Sequence, residues 1–287
     1  MPDPTAAEPD RAGGRRCAVL GSPIAHSLSP VLHRAAYAEV GLDWTYDAVE
    51  VTEGALSSFL DGLDASWRGL SLTMPLKRAV VPLLVELGPE AELAQAANTV
   101  ILDGDRRVGH NTDVPGAAAA LRERHPGQLP SATVLGGGAT AASVLLALTD
   151  LGCRRASLVV RDPARAGETL SVVAGHPRAP EVSVLTLGSD PVPPAEVLVS
   201  TIPASAQDDW VLGLVERSPV VFEVVYDPWP TPLAAAAADA GRTLVSGLDL
   251  LVHQAALQLT LMTGIDPAPL AVMRAAGESA LAARSRG

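Results

Sequence analysis

Lys77 stands just behind Pro75 at the end of the apolar stretch Gly69-Leu70-Ser71-Leu72-Thr73-Met74, so it opens whatever helix follows. An ammonium there faces the positive end of a helix dipole, which argues for a demand other than local stability. Strand ends are where parallel α/β sheets present their chemistry, and a lysine there can polarise a carbonyl or pass a proton. Two hydroxyls, Ser27 and Ser29, precede a second helix in Gly21-Ser22-Pro23-Ile24-Ala25-His26-Ser27-Leu28-Ser29-Pro30. Ser29-Pro30 reads as an N-cap and first-turn pair, but that leaves Ser27 unexplained. Two hydroxyls at i and i+2 beside a helix start suit one carboxylate.

A third cluster, Gly136-Gly137-Gly138-Ala139-Thr140-Ala141, follows the apolar run Ala132-Thr133-Val134-Leu135 and opens a helix reaching Leu151. This satisfies G-x-G-x-x-A in its required context of strand, tight turn and helix, where small residues let the backbone approach a pyrophosphate. A dinucleotide is therefore expected against Gly136, Gly137, Gly138, Ala139 and Thr140. The next strand ends in Arg161-Asp162-Pro163-Ala164-Arg165. Arginines at that position suit a ribose 2′-phosphate and a carboxylate suits a free 2′-hydroxyl, so Arg161 and Arg165 favour NADP while Asp162 keeps NAD open. Neither His26 nor His33 has metal-ligand spacing, and no metal is expected. His26 reads as a loop-ordering residue; His110, His125, His176 and His253 read as structural or solvated. Cys17 and Cys153 lie far apart and read as two reduced, partly buried thiols in a cytoplasmic protein.

These groups need elements to hold them. The 287 residues are 48% hydrophobic, enough for two globular domains. Apolar strands alternate with amphipathic helices, the signature of βαβ units, with strands expected near 17–20, 45–51, 69–74, 132–136, 156–160, 181–186, 196–200, 219–225 and 242–246. Asp103-Gly104-Asp105 reads as the turn of a hairpin between 99–102 and 107–110. The expected fold class is α/β. Residues 1–113 form a substrate domain with a mainly parallel sheet, 114–246 a Rossmann-like NADP domain, and two last helices, near 247–263 and 267–283, pack back on the first. Met1 to Gly14 reads as a frayed tail without a signal peptide, and no later run approaches a membrane span. A formal charge of -11 opposes nucleic acid and anionic membrane as partners, so an anionic small molecule must be drawn by local cations. A monomer and a homodimer both remain open.

Taken together the motifs resemble the quinate/shikimate dehydrogenase family from Cys17 to about Arg284. The family's G-x-P-I-x-H-S-x-S-P matches 21–30, T-x-P-x-K matches Thr73 to Lys77, and A-N-T and N-T-D match Ala97-Asn98-Thr99 and Asn111-Thr112-Asp113. Further on, Tyr226-Asp227-Pro228-Trp229-Pro230-Thr231-Pro232 resembles Y-x-P-x-x-T-P, and Leu251-Val252-His253-Gln254-Ala255 the terminal glutamine helix. The resemblance implies reversible reduction of 3-dehydroshikimate to shikimate with NADP, in the route to chorismate and aromatic amino acids. Ser27 and Ser29 would hold the carboxylate with Tyr226 nearby. Ser71, Thr73, Asn98, Asp113 and Gln254 would meet the ring, and Lys77 with Asp113 would flank the reacting hydroxyl as acid-base pair. Thr201 and Gly247 complete the expected cofactor set. Three departures stand out: Ser71 replaces the usual asparagine, Asp162 a commoner Ser or Thr, and Val160 a usual Asn. An NAD-preferring quinate/shikimate dehydrogenase and a non-catalytic shikimate sensor are the alternatives.

Overall fold

The computed structural model describes residues 14–284, so the tail expected over 1–14 lies, apart from Gly14, outside the described residues. The chain divides into two compact units: Met1–Ala91, Ala96–Thr112 and Gln254–Ala282 form the first, and Glu92–Gln95, Asp113–His253 and Ala283–Gly287 the second.

The first unit holds strands β1 (Arg16–Gly21), β2 (Thr45–Glu50), β3 (Trp67–Leu72), β4 (Glu86–Leu87), β5 (Thr99–Asp103) and β6 (Arg106–His110), ordered β2-β1-β3-β5-β6-β4. β1 pairs in parallel with β2 and β3, while β5 runs antiparallel to β3 and to β6. The β5–β6 hairpin turns at Gly104, whose φ of 57° lies in the left-handed region. The two-residue β4, too short to carry a periodic signal, was missed by the sequence reading. Its pairing with β6 is parallel.

β3 corrects the expected strand 69–74. It ends at Leu72; Thr73 lies beyond it and Met74 is 67% exposed. Gly69, Leu70, Ser71 and Leu72 are all buried, as in a strand covered on both faces. The helix after it, Leu76–Ala79, is a single turn followed by a 3-10 turn at Val81–Leu83. Pro82 lacks the N–H an α-helix would need there, so the dipole that Lys77 faces is small.

The second unit contains β7 (Ser131–Leu135), β8 (Arg155–Val160), β9 (Glu181–Thr186), β10 (Val197–Ser200), β11 (Val220–Glu223) and β12 (Thr243–Ser246), all parallel and ordered β12-β11-β10-β7-β8-β9. Counted within the unit this is the doubly wound order 3-2-1-4-5-6, with its switch point between β7 and β10. The helix Ala139–Asp150 is buried from Ala141 to Thr149, which is why its sequence is apolar all round. The last helices run Gly247–Thr263 and Leu270–Arg284. Residues Gln254–Ala282 belong to the first unit, although they follow the second in the chain. Among the described residues no helix is long and apolar enough to cross a membrane.

Candidate active site

In the first unit three motifs meet at the carboxyl end of β1 and β3. Gly21 closes β1 where a Cβ would lie 2.5 Å from Thr73 Cγ2 and 3.0 Å from the Met74 carbonyl, so only glycine lets the two loops touch. The Ser22 N–H then donates to the Met74 carbonyl at 3.1 Å. Because β5 runs antiparallel, its start lies beside the end of β3, with Ser71 opposite Thr99. The Leu72 N–H donates to the Asn98 carbonyl at 2.8 Å, and the Ala97 N–H to the Lys77 carbonyl at 2.8 Å. Lys77, half-buried, is thus tied through its backbone to the Ala97-Asn98-Thr99 segment.

The serine loop differs in one respect from its expected form. The helix Ser29–Val40 has Leu28 at its N-cap position and no side-chain cap, so the Ser29 hydroxyl is not spent on capping. The Ser29 N–H instead donates to Ser27 Oγ at 3.3 Å. Ser29 is buried and Tyr46 Oη approaches it, while the same Oη donates to Ser71 Oγ at 2.6 Å.

Asn98, Thr112 and Gln254 form a buried amide cluster. Asn98 Oδ1 accepts from the Thr112 N–H at 2.8 Å and from Thr99 Oγ1 at 2.9 Å. Asn98 Nδ2 donates to Thr112 Oγ1 at 2.9 Å and to Gln254 Oε1 at 3.2 Å. Asp113, buried, follows Thr112 directly and opens the helix Asp113–Arg124 of the second unit. Sequence reasoning missed Tyr46, Thr112 and Gln258 as members of this network. Gln258 had one legible signal: two amides four residues apart, Gln254 and Gln258, which share a helix face. Away from these residues, at the other end of the sheet, a cavity of about 690 Å³ is lined by Arg15, Trp67, Arg68, Asp103 and Arg107 among others.

In the second unit the glycine loop sits at the switch point. Gly136 has φ 105°, and a Cβ on it would lie 2.3 Å from Thr201 Oγ1, the first side chain after β10. Thr201 Oγ1 donates to the Leu135 carbonyl at 2.8 Å, holding the two strand ends together. A Cβ on Gly137 would come within 3.1 Å of Val160, whereas one on Gly138 would meet nothing within 4 Å. Gly138 is also the N-cap of the Ala139–Asp150 helix and provides no side-chain cap, and the positive end of a helix suits an anion. Gly247 has a packing reason of its own, since a Cβ there would fall 2.1 Å from the Val224 carbonyl.

Arg161 and Arg165 are exposed at the end of β8, with Arg165 in a 3-10 turn, Pro163–Ala166. Asp162 Oδ1 accepts from the Ala164 N–H at 3.0 Å, so its carboxylate is engaged by its own turn. Two exposed guanidiniums beside an open glycine turn fit a pyrophosphate with a 2′-phosphate. Tyr226 lies on a loop stapled by buried Glu223, whose carboxylate accepts from Gln207 Nε2 at 2.6 Å, Thr231 Oγ1 at 3.0 Å and the Val225 N–H at 3.0 Å. Burial raises the Glu223 carboxyl above its ordinary range. Both cysteines are free and buried, and burial pushes each thiol up to about 11. No group of three or more potential metal-ligating side chains occurs among the described residues.

A glycine loop at the switch point of a 3-2-1-4-5-6 sheet is the architecture of dinucleotide-dependent enzymes. Family models for the shikimate dehydrogenase substrate-binding domain and the shikimate 5′-dehydrogenase C-terminal domain match residues 19–100 and 247–276. The chain is 36% identical to the shikimate dehydrogenase (NADP(+)) of Moorella thermoacetica, over 94% of this chain and 95% of that one. The crystal structure of Mycobacterium tuberculosis shikimate dehydrogenase superposes with a TM-score of 0.83 at 37% identity, covering 92% of this chain and 99% of that one. A Corynebacterium glutamicum quinate dehydrogenase solved with NAD gives a TM-score of 0.82 at 27% identity, covering 93% and 99%. The chain belongs to the shikimate dehydrogenase family.

Proposed function

We propose that this protein reversibly reduces 3-dehydroshikimate to shikimate with NADP as cofactor. The observation that carries the reading is the convergence of Ser29, Thr73, Lys77, Asn98 and Gln254 motifs on one end of one sheet, tied by the Ser22–Met74 and Ala97–Lys77 backbone bonds. A small polyol acid needs a carboxylate cradle plus several donors and acceptors to fix one ring face. Ser27 and Ser29 form the cradle. Thr73, Asn98 and Gln254 take the ring hydroxyls. A site that hydrogen-bonds each hydroxyl discriminates against analogues lacking one, because its own buried groups are left unpaired.

The nicotinamide supplies the hydride acceptor or donor. Lys77 Nζ donates the proton to the forming alkoxide in the reductive direction and accepts it back in the other. Asp113 holds an adjacent hydroxyl and completes the acid-base pair. Gly136 to Thr140 hold the pyrophosphate at the helix start, with Thr201 and Gly247 shaping that end of the sheet. Arg161 and Arg165 take the 2′-phosphate, supported by the engagement of Asp162 with its own turn. The test follows absorbance of the reduced nicotinamide with shikimate or quinate, each with NADP or NAD. Turnover with shikimate and NADP is expected to dominate; activity only with quinate and NAD overturns the specificity, and silence in all four pairings overturns the enzyme.

A further inference from the structure

Gln258 stands one turn after Gln254 on the Gly247–Thr263 helix and is buried at 1% exposure, outside every motif named above. Its Oε1 accepts from Ser71 Oγ at 2.9 Å and lies 3.4 Å from His33 Nε2. His33 is fully buried, stacks on Tyr46 at 4.1 Å, and has no partner for Nδ1 among the described residues. Its proton therefore sits on Nε2, aimed at Gln258. The Asn98 backbone carbonyl can only accept, so the carboxamide nitrogen faces it and Oε1 faces Ser71 and His33. Gln258 Nε2 then faces the other way and donates to the Asn98 carbonyl at 3.2 Å and to Thr99 Oγ1 at 3.0 Å. Thr99 Oγ1 in turn donates to Asn98 Oδ1 at 2.9 Å. The donors run in one direction, Tyr46 to Ser71 to Gln258 to Thr99 to Asn98, and such a chain strengthens its members.

We infer that Gln258, held by Ser71 and His33, is the positioning residue that fixes the amide orientations of Asn98 and Gln254 toward the substrate ring. The serine at position 71 serves Gln258 instead of the substrate, which revises the ring contact expected of it. This rests on the functional reading above and deepens it. An asparagine at 71 would bring an amide where one hydroxyl now accepts from Tyr46 and donates to Gln258.

The test measures initial rates with varied shikimate and varied NADP for wild type, Gln258→Leu, Gln258→Glu, Ser71→Ala and the Ser71→Ala/Gln258→Leu double variant, with Tm for each. Gln258→Leu is expected to raise the shikimate KM about ten-fold or more, as loss of an orienting outer partner does elsewhere, with kcat within about three-fold and the NADP KM unchanged. Gln258→Glu keeps the shape but turns an acceptor toward the Asn98 carbonyl, and should show the same defect. Ser71→Ala acts through Gln258, so its effect should vanish in the double variant. Additive effects would show that Ser71 meets the substrate directly and overturn the assignment. An unchanged shikimate KM with a lowered Tm would reduce Gln258 to a fold-holding residue; if Gln258→Leu is insoluble, an unchanged KM in Gln258→Glu and Ser71→Ala decides the same way. A wild type without shikimate turnover overturns the functional reading and this role together, whereas an active wild type with unaffected variants overturns this role alone.

Discussion

At the scale of single residues, Lys77 owes its placement to backbone bonds that its own substitution leaves intact. Its carbonyl accepts from Ala97, and the preceding Leu76 N–H is held by the Thr73 carbonyl at 2.8 Å. Lys77→Ala is therefore expected to preserve the fold and lower kcat by about 10²- to 10⁴-fold, the usual contribution of a positioned acid or base. Steady-state rates check this, and near-normal turnover would remove lysine from the chemistry. His33 makes a different kind of prediction. Burial lowers its pKa from 6.5 to about 4. Between those values the unfolded chain binds more protons than the folded one. The stability gained from neutral His33 is complete above about pH 6.5 and is lost as pH falls through 4, on the order of 3 kcal/mol in all. His33→Phe keeps an aromatic ring beside Tyr46 and removes the titration, so its Tm should fall less between pH 7 and 4 than that of the wild type. Coincident Tm curves would assign the acid sensitivity to other groups.

At the scale of elements, most strand positions were legible because apolar runs bounded by turn residues survive in sequence without knowledge of their neighbours. The strands expected at 45–51, 156–160 and 242–246 are found at Thr45–Glu50, Arg155–Val160 and Thr243–Ser246. The single-turn helix at Lys77 and the short β4 were not legible, since neither is long enough to show a period. The turn after β7 shows what element geometry demands. Gly136→Ala forces a side chain into φ 105° and onto Thr201 Oγ1 at 2.3 Å, so β7 and β10 must part. The expected result is a rise in the NADP KM of at least about ten-fold, with a lowered Tm, while the shikimate KM changes little. An unaltered NADP KM would place the pyrophosphate elsewhere. At the end of β8, Arg161→Ala with Arg165→Ala should raise the NADP KM about ten- to a hundred-fold, as expected for lost charge-assisted hydrogen bonds, and leave the NAD KM near its wild-type value. Equal losses with both cofactors would remove the 2′-phosphate from these arginines.

At the scale of the whole molecule, the chain leaves the first unit at Thr112 and re-enters it at Gln254. The second unit's six strands lie within that interval. A chain ending at His253 retains them all but lacks Gln254, Gln258 and Met262. The last of these also packs against Gly69, where an added Cβ would lie 2.6 Å from it, and gives its carbonyl to Arg68 Nε at 2.9 Å. We expect the truncated chain to bind NADP but no longer shikimate, as read by ligand-induced shifts in Tm. Retained stabilisation by shikimate would show that the last helices are not needed for substrate. Which reactive groups exist, and which strand or helix end carries each, can be read along the chain because glycine turns, proline starts and hydrophobic periods act within a few residues. Which of those groups share hydrogen bonds depends on the packed fold: Ser71 meets Gln258 across 187 residues, and His33 meets Gln258 across 225. Local propensity carries no information over such separations. A hydroxyl or amide can satisfy many partners equally well until packing brings one within hydrogen-bond reach and excludes water from the rest.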